Sequence, residues 1–174
     1  MLQLAEEIIE GRRLQKNDDL SILTEGDLET LCQGADRIRR ALCGDEAELC
    51  SIINGRSGRC GENCRFCAQS AHYTANCETY DFPKPDVFTE GCGRMARQGV
   101  SRYSIVTSGR AVEGADLEKA LAAYTAMRKR YPDMRLCASH GLMRTEDMKR
   151  LKEAGVSRYH TNIETSARYF PQIC

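Results

Sequence analysis

Apolar residues near the amino terminus recur at helical spacing and predict two helices. Leu4 and Ile8 lie four positions apart among charged residues, which is typical of an amphipathic surface helix. A second apolar stripe begins after Thr24, the predicted N-cap, and ends near Gly44. We expect both helices to form an amino-terminal helical extension, residues 1–45, that packs over one end of a larger body.

Beyond this extension, short apolar runs alternate with helical segments. The predicted strands span residues 49–54, 100–107, 134–139 and 156–163, and the predicted helices span residues 88–98, 116–130 and 145–154. This alternation indicates a parallel α/β sheet built from right-handed crossovers. Ligands of such sheets bind at the carboxyl ends of the strands. We therefore expect the functional residues in the loops that follow the strands.

Composition and charge exclude several classes of partner. Lys+Arg and Asp+Glu are equal at 25 each among 174 residues, so no net field attracts nucleic acid or an anionic membrane. No apolar run approaches the roughly 20 residues that span a bilayer, and the first residues lack the apolar core of a signal peptide. We expect a cytoplasmic protein with a small-molecule partner, whose ten cysteines are reduced.

Three of the cysteines follow the first predicted strand at CxxxCxxC spacing, namely Cys60, Cys64 and Cys67. Structural zinc and ordinary cubane clusters take four protein ligands, so three thiolates leave one coordination position open. Soft sulfur donors stabilise iron at low potential, and the open position suits an iron that binds a small chelating molecule, so an iron–sulfur cluster is the leading interpretation. The alternative is a zinc site completed by His72 or Cys77.

The motif and its flanks resemble the biotin synthase family of the radical S-adenosylmethionine (SAM) superfamily. The resemblance rests on LCSIINGRSG before the motif and CAQSAHY after it. It implies that the three cysteines bind a [4Fe-4S] cluster whose open iron binds SAM, and that Phe66 lies near the adenine. The cofactor then yields a 5′-deoxyadenosyl radical that takes hydrogen from an unactivated carbon, while the protein orients the reactants and excludes water.

The same resemblance implies a fold and a reaction. The fold is a TIM-type (β/α) barrel over residues 46–174, incomplete at about four βα units. No GxGxxG fingerprint or P-loop follows a strand, which disfavours a nucleotide-binding open sheet. The implied reaction is that of biotin synthase, a sulfurtransferase that converts dethiobiotin to biotin in the last step of biotin biosynthesis. The implied electron donor is of the flavodoxin or ferredoxin type.

Two further groups of cofactor-binding residues are predicted in strand-end loops. Asn162 and Glu164 share one face of the fourth predicted strand and match the NxD/E pair of the family, which implies contacts to the cofactor ribose and the substrate. A helix cap is the alternative for Glu164. After the second strand, residues 107–109 are expected to offer backbone groups to the methionyl part of SAM, with an ordinary turn as the alternative. This set comprises Thr107, Ser108 and Gly109.

Arg56 and Cys137 complete the predicted site. Arg56 precedes the cysteine loop and matches a basic position of the family near the cluster or cofactor, with a solvated surface arginine as the alternative. Cys137 matches a ligand of the family's auxiliary iron–sulfur cluster. Ser104 stands where the well-known form has another cysteine, so the type of auxiliary cluster is left open. A buried structural cysteine is the alternative for Cys137.

A half-barrel exposes a strand edge and an apolar inner face. We therefore expect the chain to be the amino-terminal half of a longer product, or to need a partner or a homodimer. Two other functions remain open from the residues. One is a related radical SAM enzyme without sulfur insertion, such as the hydrogenase-maturation or pyrrolysine-pathway relatives. The other is a non-catalytic fragment that binds iron–sulfur or zinc.

Overall fold

The computed structural model describes residues 1–174, which form two compact units, Met1–Ala47 and Glu48–Cys174. The first unit contains three helices: α1 (Leu2–Ile9), α2 (Ser21–Glu25) and α3 (Leu28–Cys43). Helix α1 packs on α3 where Ala5 and Gly34 are buried against each other and Met1. No helix of the molecule combines the length and the apolar character needed to cross a membrane.

The start of the second predicted helix is corrected by the structure. Thr24 lies inside α2 and its hydroxyl donates to the Ser21 carbonyl at 3.1 Å, so it does not cap α3. The N-cap is Asp27, whose carboxylate accepts from the backbone amide of Thr30 at 2.9 Å. A carboxylate in this position satisfies an amide that the first helical turn leaves free. The predicted end at Gly44, which has a φ of 75°, is confirmed.

The second unit is a four-stranded parallel sheet in the order β1-β2-β3-β4. The predicted alternation of strands and helices is confirmed, with an additional short helix at the end. The elements are β1 (Cys50–Arg56), α4 (Pro85–Arg97), β2 (Arg102–Thr107), α5 (Gly114–Arg130), β3 (Arg135–Ser139), α6 (Thr145–Glu153), β4 (Val156–Tyr159) and α7 (Phe170–Ile173).

The core lies between the sheet and its crossover helices. Ile105 of β2 and Leu136 of β3 are buried, together with Phe88 of α4 and Tyr124 of α5. Removal of these apolar side chains from water is the main force that holds helices to sheet. The other face of the sheet is less covered, since Ile52 of β1 is 67% exposed.

The prediction that the fourth strand continues to residue 163 is wrong. Strand β4 ends at Tyr159, and residues 160–164 are irregular. Ile163 is 84% exposed and Glu164 has a φ of 64°, so Asn162 and Glu164 do not share a strand face. A strand at the edge of a sheet has a partner on one side only, which gives little support to its end. The sheet is open, and the structure bears out the barrel prediction only as far as a parallel α/β sheet.

A buried polar network joins the carboxyl ends of β2 and β3. His140 is fully buried, with Nδ1 3.2 Å from the Thr107 hydroxyl and Nε2 3.0 Å from the Tyr124 hydroxyl. The Tyr124 hydroxyl also donates to the Cys137 carbonyl at 3.1 Å. Burial first, and then the charge of Arg56, lower the pKa of His140 to about 4. The imidazole is therefore neutral at neutral pH.

Acidification should destabilise the second unit through His140. Its pKa of about 4 in the folded state is below the ordinary value of 6.5, so the stabilisation is complete above pH 6.5 and is lost as the pH falls towards 4. Between about pH 7 and pH 4.5 we expect His140 to account for about 2–3 kcal/mol of the fall in unfolding free energy. Urea unfolding of the wild type and His140→Gln at both pH values measures this contribution.

An equal pH dependence in the two proteins would contradict the assignment. If His140→Gln does not fold, NMR titration of the wild-type imidazole gives a second readout. The expected midpoint is near pH 4. A midpoint near 6.5 would show that the ring is not held in its neutral form.

Candidate active site

The carboxyl ends of two neighbouring strands, β1 and β2, bring two predicted functional loops together. The cysteine loop, residues 57–73, follows β1, and residues 108–113 follow β2. Two hydrogen bonds close the backbone of the cysteine loop. One runs from the amide of Cys60 to the Gln69 carbonyl at 2.9 Å, and the other from the amide of Ala71 to the Cys60 carbonyl at 2.8 Å. The loop therefore has a defined conformation.

Polar side chains within CAQSAHY hold the cysteine loop from inside. Ser70 is 4% exposed, and its hydroxyl donates to the Glu62 carbonyl at 2.7 Å. The Gln69 carboxamide oxygen accepts from the backbone amide of Gly58 at 3.0 Å. These contacts use no thiol, so the scaffold leaves the cysteine side chains free to bind a ligand. The sequence analysis missed this role, although a Gln-Ser pair beside clustered cysteines is the kind of polar signal that could have indicated it.

The two residues weighed as a fourth zinc ligand have other partners. His72 Nε2 lies 3.0 Å from the Gly61 carbonyl oxygen. The Cys77 thiol lies 3.7 Å from the Ser57 hydroxyl and donates to the Glu78 carbonyl at 3.5 Å. Neither contact directs a ligand atom towards a centre shared with the three motif cysteines.

The three motif thiols are partly exposed and unpaired. The pKa of Cys64 is raised to about 11 by burial first, and then by the thiols of Cys174, Cys67 and Cys60. No group of three or more His, Cys, Asp or Glu side chains is arranged at metal-binding distance. The three thiols share one loop, and those of Cys67 and Cys60 both act on Cys64. As a donor set, three soft thiols on one loop fit an iron–sulfur cluster.

Arg56 acts on the neighbouring loop instead of facing solvent. Its guanidinium donates to the Ser108 carbonyl at 2.7 and 3.2 Å and pairs with Asp116 at 3.2 Å. The Ser108 hydroxyl in turn donates to the Gly58 carbonyl at 3.0 Å. This chain of contacts fixes the loop after β2 against the cysteine loop.

A polar cleft of about 300 Å³ opens beside these contacts. Arg56, Ser108 and Gly109 line it together with the start of the cysteine loop. Thr107 is turned away, because its hydroxyl contacts the buried His140 ring at 3.2 Å. The structure thus brings Arg56, Ser108 and Gly109 together, whereas the side chain of Thr107 lies away from the cleft.

The remaining predicted residues lie apart from this cleft or on the surface. Phe66 is 56% exposed on the cysteine loop. Asn162 and Glu164 are exposed on the irregular segment after β4. Cys137 is 4% exposed on β3, where its sulfur accepts from Arg102 Nη1 at 3.3 Å.

Arg102 is a residue that the sequence analysis missed. It is 9% exposed, and it pairs with Glu48 at 2.9 Å while it contacts Cys137. Ser104 is the register partner of Cys137 on β2. The sequence could have indicated this contact, because Arg102 lies two residues before Ser104 and therefore on the same face of the strand.

Substitution of Gly109 should destabilise the loop after β2. Gly109 has a φ of 100°, and a Cβ there would lie 2.4 Å from Arg56 Nη2. Gly99 is a matched control, because it has a φ of 78° and open space around it. Both alanine variants carry backbone strain, but only Gly109→Ala displaces the guanidinium from the Ser108 carbonyl. We expect it to lose about 1–2 kcal/mol more unfolding free energy than Gly99→Ala in urea unfolding. Equal losses of unfolding free energy in the two variants would show that the contact of Arg56 with the Ser108 carbonyl does not stabilise the loop.

Comparison with known proteins gives concordant matches. The Radical SAM superfamily model matches residues 56–174. A biotin synthase of Alkaliphilus metalliredigens is 55% identical over 172 residues, which are 99% of this chain and 54% of that protein. A biotin synthase of Clostridium beijerinckii is 53% identical over 174 residues, 100% of this chain and 55% of that protein. The chain spans about half the length of the curated relatives it matches.

Solved structures show similarity of fold. A crystal structure of HydG, a maturase of the [FeFe]-hydrogenase, superposes with a TM-score of 0.64 at 15% identity, over 91% of this chain and 36% of that chain. HydG from Carboxydothermus hydrogenoformans gives a TM-score of 0.60 at 16% identity, over 90% of this chain and 36% of that chain. At such identities the likeness concerns the fold alone.

Proposed function

Because the chain belongs to the radical SAM superfamily, we propose that it functions as biotin synthase, a SAM-dependent sulfurtransferase that converts dethiobiotin to biotin. The observation that carries this proposal is identity of 53–55% to two biotin synthases along essentially the whole chain. The scaffolded three-cysteine loop supports it, because its donor set is one thiol short of a closed four-ligand site.

In this proposal Cys60, Cys64 and Cys67 would hold a [4Fe-4S] cluster, and SAM would bind beside them. When bound, the cluster and SAM supply the one-electron chemistry that removes hydrogen from unactivated carbon. The chain supplies thiolate ligation and a loop held by Ser70 and Gln69, so that the ligands keep their order around the centre.

The polar cleft provides the cofactor-binding groups. Ser108 and Gly109 offer backbone groups to the charged methionyl part of SAM, and Thr107 contributes its backbone. Arg56 acts as a positioning residue, because its guanidinium donates to the loop that carries these groups. Such preorganisation reduces the reorganisation needed when a ligand binds.

Three side chains with exposed polar or aromatic surface complete the proposed site. Phe66 packs beside the adenine. The Asn162 amide donates and accepts hydrogen bonds, and the Glu164 carboxylate accepts them from hydroxyl and N–H groups of the ribose and of the ureido group of dethiobiotin. Each is accessible on the surface of the second unit, which is a requirement for contact with a ligand. Cys137, held by Arg102, is proposed as a ligand of an auxiliary iron–sulfur cluster.

The fold and surroundings of the enzyme follow from the same proposal. The open parallel sheet is part of a (β/α) barrel, with a helical extension at residues 1–45 and the barrel portion at residues 46–174. A flavodoxin or ferredoxin supplies electrons in the cytoplasm, and self-association is one way to cover the free edge of β4.

Anaerobic reconstitution with iron and sulfide tests the cluster assignment. We expect about four irons per chain and SAM-dependent release of 5′-deoxyadenosine, because a cubane with an open iron binds the cofactor directly. Cys64→Ala should lower both by at least about tenfold, while Cys50→Ala, which removes an exposed thiol outside the loop, should not. Bound zinc without SAM cleavage would refute the proposal.

The substrate assignment has its own readout. We expect dethiobiotin to increase the rate of 5′-deoxyadenosine release, because a bound hydrogen donor consumes the radical. Biotin itself is the control, since it has the same ring and side chain with sulfur already inserted. If dethiobiotin has no effect on a chain that cleaves SAM, a related radical SAM activity without sulfur insertion replaces this assignment.

A further inference from the structure

A fourth cysteine lies beside the cysteine loop. The backbone amide of Arg65 donates to the Ile173 carbonyl at 2.9 Å, and the amide of Cys174 donates to the Phe170 carbonyl at 2.9 Å. Cys64 and Cys174 are therefore each one residue from a backbone hydrogen bond that joins the loop to the end of α7. Cys174 lies 110 positions from Cys64 in the sequence, so no local motif links the two residues.

The thiol of Cys174 contacts the thiol of Cys64 through a side-chain hydrogen bond. Both partners are partly exposed, and neither is in a disulfide. Bridging two cysteines requires Cα atoms within about 7 Å, which residues adjacent to one backbone hydrogen bond can satisfy with small movements.

We propose that Cys64 and Cys174 form a reversible disulfide when the loop carries no cluster. This inference rests on the proposed function, since it concerns a residue assigned there as a cluster ligand. The oxidant is hydrogen peroxide. One thiol is oxidised to a sulfenic acid as the peroxide O–O bond breaks and water leaves, and the other thiol then displaces a second water to form the S–S bond. The two electrons lost by the thiols go to the peroxide.

The disulfide would prevent cluster binding and protect Cys64 from irreversible oxidation. With Cys64 paired, only Cys60 and Cys67 remain as motif ligands, which are too few to hold the cluster. The disulfide also stops the oxidation of Cys64 before the irreversible sulfinic stage. A dithiol reductant restores both thiols by exchange, so the disulfide is reduced under the reducing conditions in which a cluster can be inserted.

The test uses the 174-residue chain without metal, treated with hydrogen peroxide and then mapped by mass spectrometry under non-reducing conditions. We expect a linked peptide pair containing Cys64 and Cys174, at least about tenfold more abundant than any peptide in which Cys64 pairs with Cys67 or Cys60. Cys174→Ser should abolish that pair. Cys43→Ser, which removes an exposed cysteine of the first unit, should not change it. Preferential pairing of Cys64 within its own motif would overturn the proposal.

Iron uptake separates this inference from the proposed function. After reduction with dithiothreitol, the wild type and Cys174→Ser should take up equal amounts of iron, because Cys174 is not a ligand in this proposal. Oxidised wild type should take up at least about tenfold less, and dithiothreitol should restore it. Iron loss in reduced Cys174→Ser would overturn the inference by making Cys174 a ligand. If reduced wild type forms no cluster while the Cys64–Cys174 pair is found, the proposed function fails and the disulfide stands.

Discussion

Packing of α4 and α5 onto one face of a parallel sheet is the constraint on which the rest of this structure depends. Ile105, Leu136 and Tyr124 are buried at that contact, and their burial fixes the strands in a parallel arrangement with helical crossovers. Parallel strands place all their carboxyl ends at one edge of the sheet. The cysteine loop and the loop after β2 are far apart in sequence, and they meet for this reason.

At that edge, side chains with no chemical role of their own define the shape of the site. Arg56 reaches the Ser108 carbonyl across 52 positions of sequence, and Ser108 reaches the Gly58 carbonyl across 50. Behind them, the neutral His140 ring supports Thr107 and Tyr124. A buried polar network of this kind is costly unless every member is satisfied, and no buried side-chain nitrogen or oxygen here lacks a partner. The loops are thus held by contacts that leave thiols and backbone groups available for ligands.

In the cysteine loop, the groups that stabilise the fold are different from the groups that are available to bind a ligand. Its backbone bonds and the side chains of Ser70 and Gln69 close the loop, while the three motif thiols stay unpaired. A loop built in this way can form before a cluster is inserted. It also leaves three thiols partly exposed, which gives the proximity of Cys64 and Cys174 its chemical interest.

The sequence by itself determined the order of the strands and crossover helices of the second unit, the parallel sheet, and the loop that carries the three thiols. These features follow from local periodicity and from the spacing of a short motif, which depend on nearby residues. Only the tertiary structure decided where β4 stops, that Asp27 instead of Thr24 caps α3, that Arg56 clamps the loop after β2, and that Cys174 lies beside Cys64. Each of these depends on which groups the fold brings within hydrogen-bond distance, or on whether an edge strand has a second partner. Periodicity along the chain carries little information about such contacts, because it reports the burial of one element and not the identity of its neighbours.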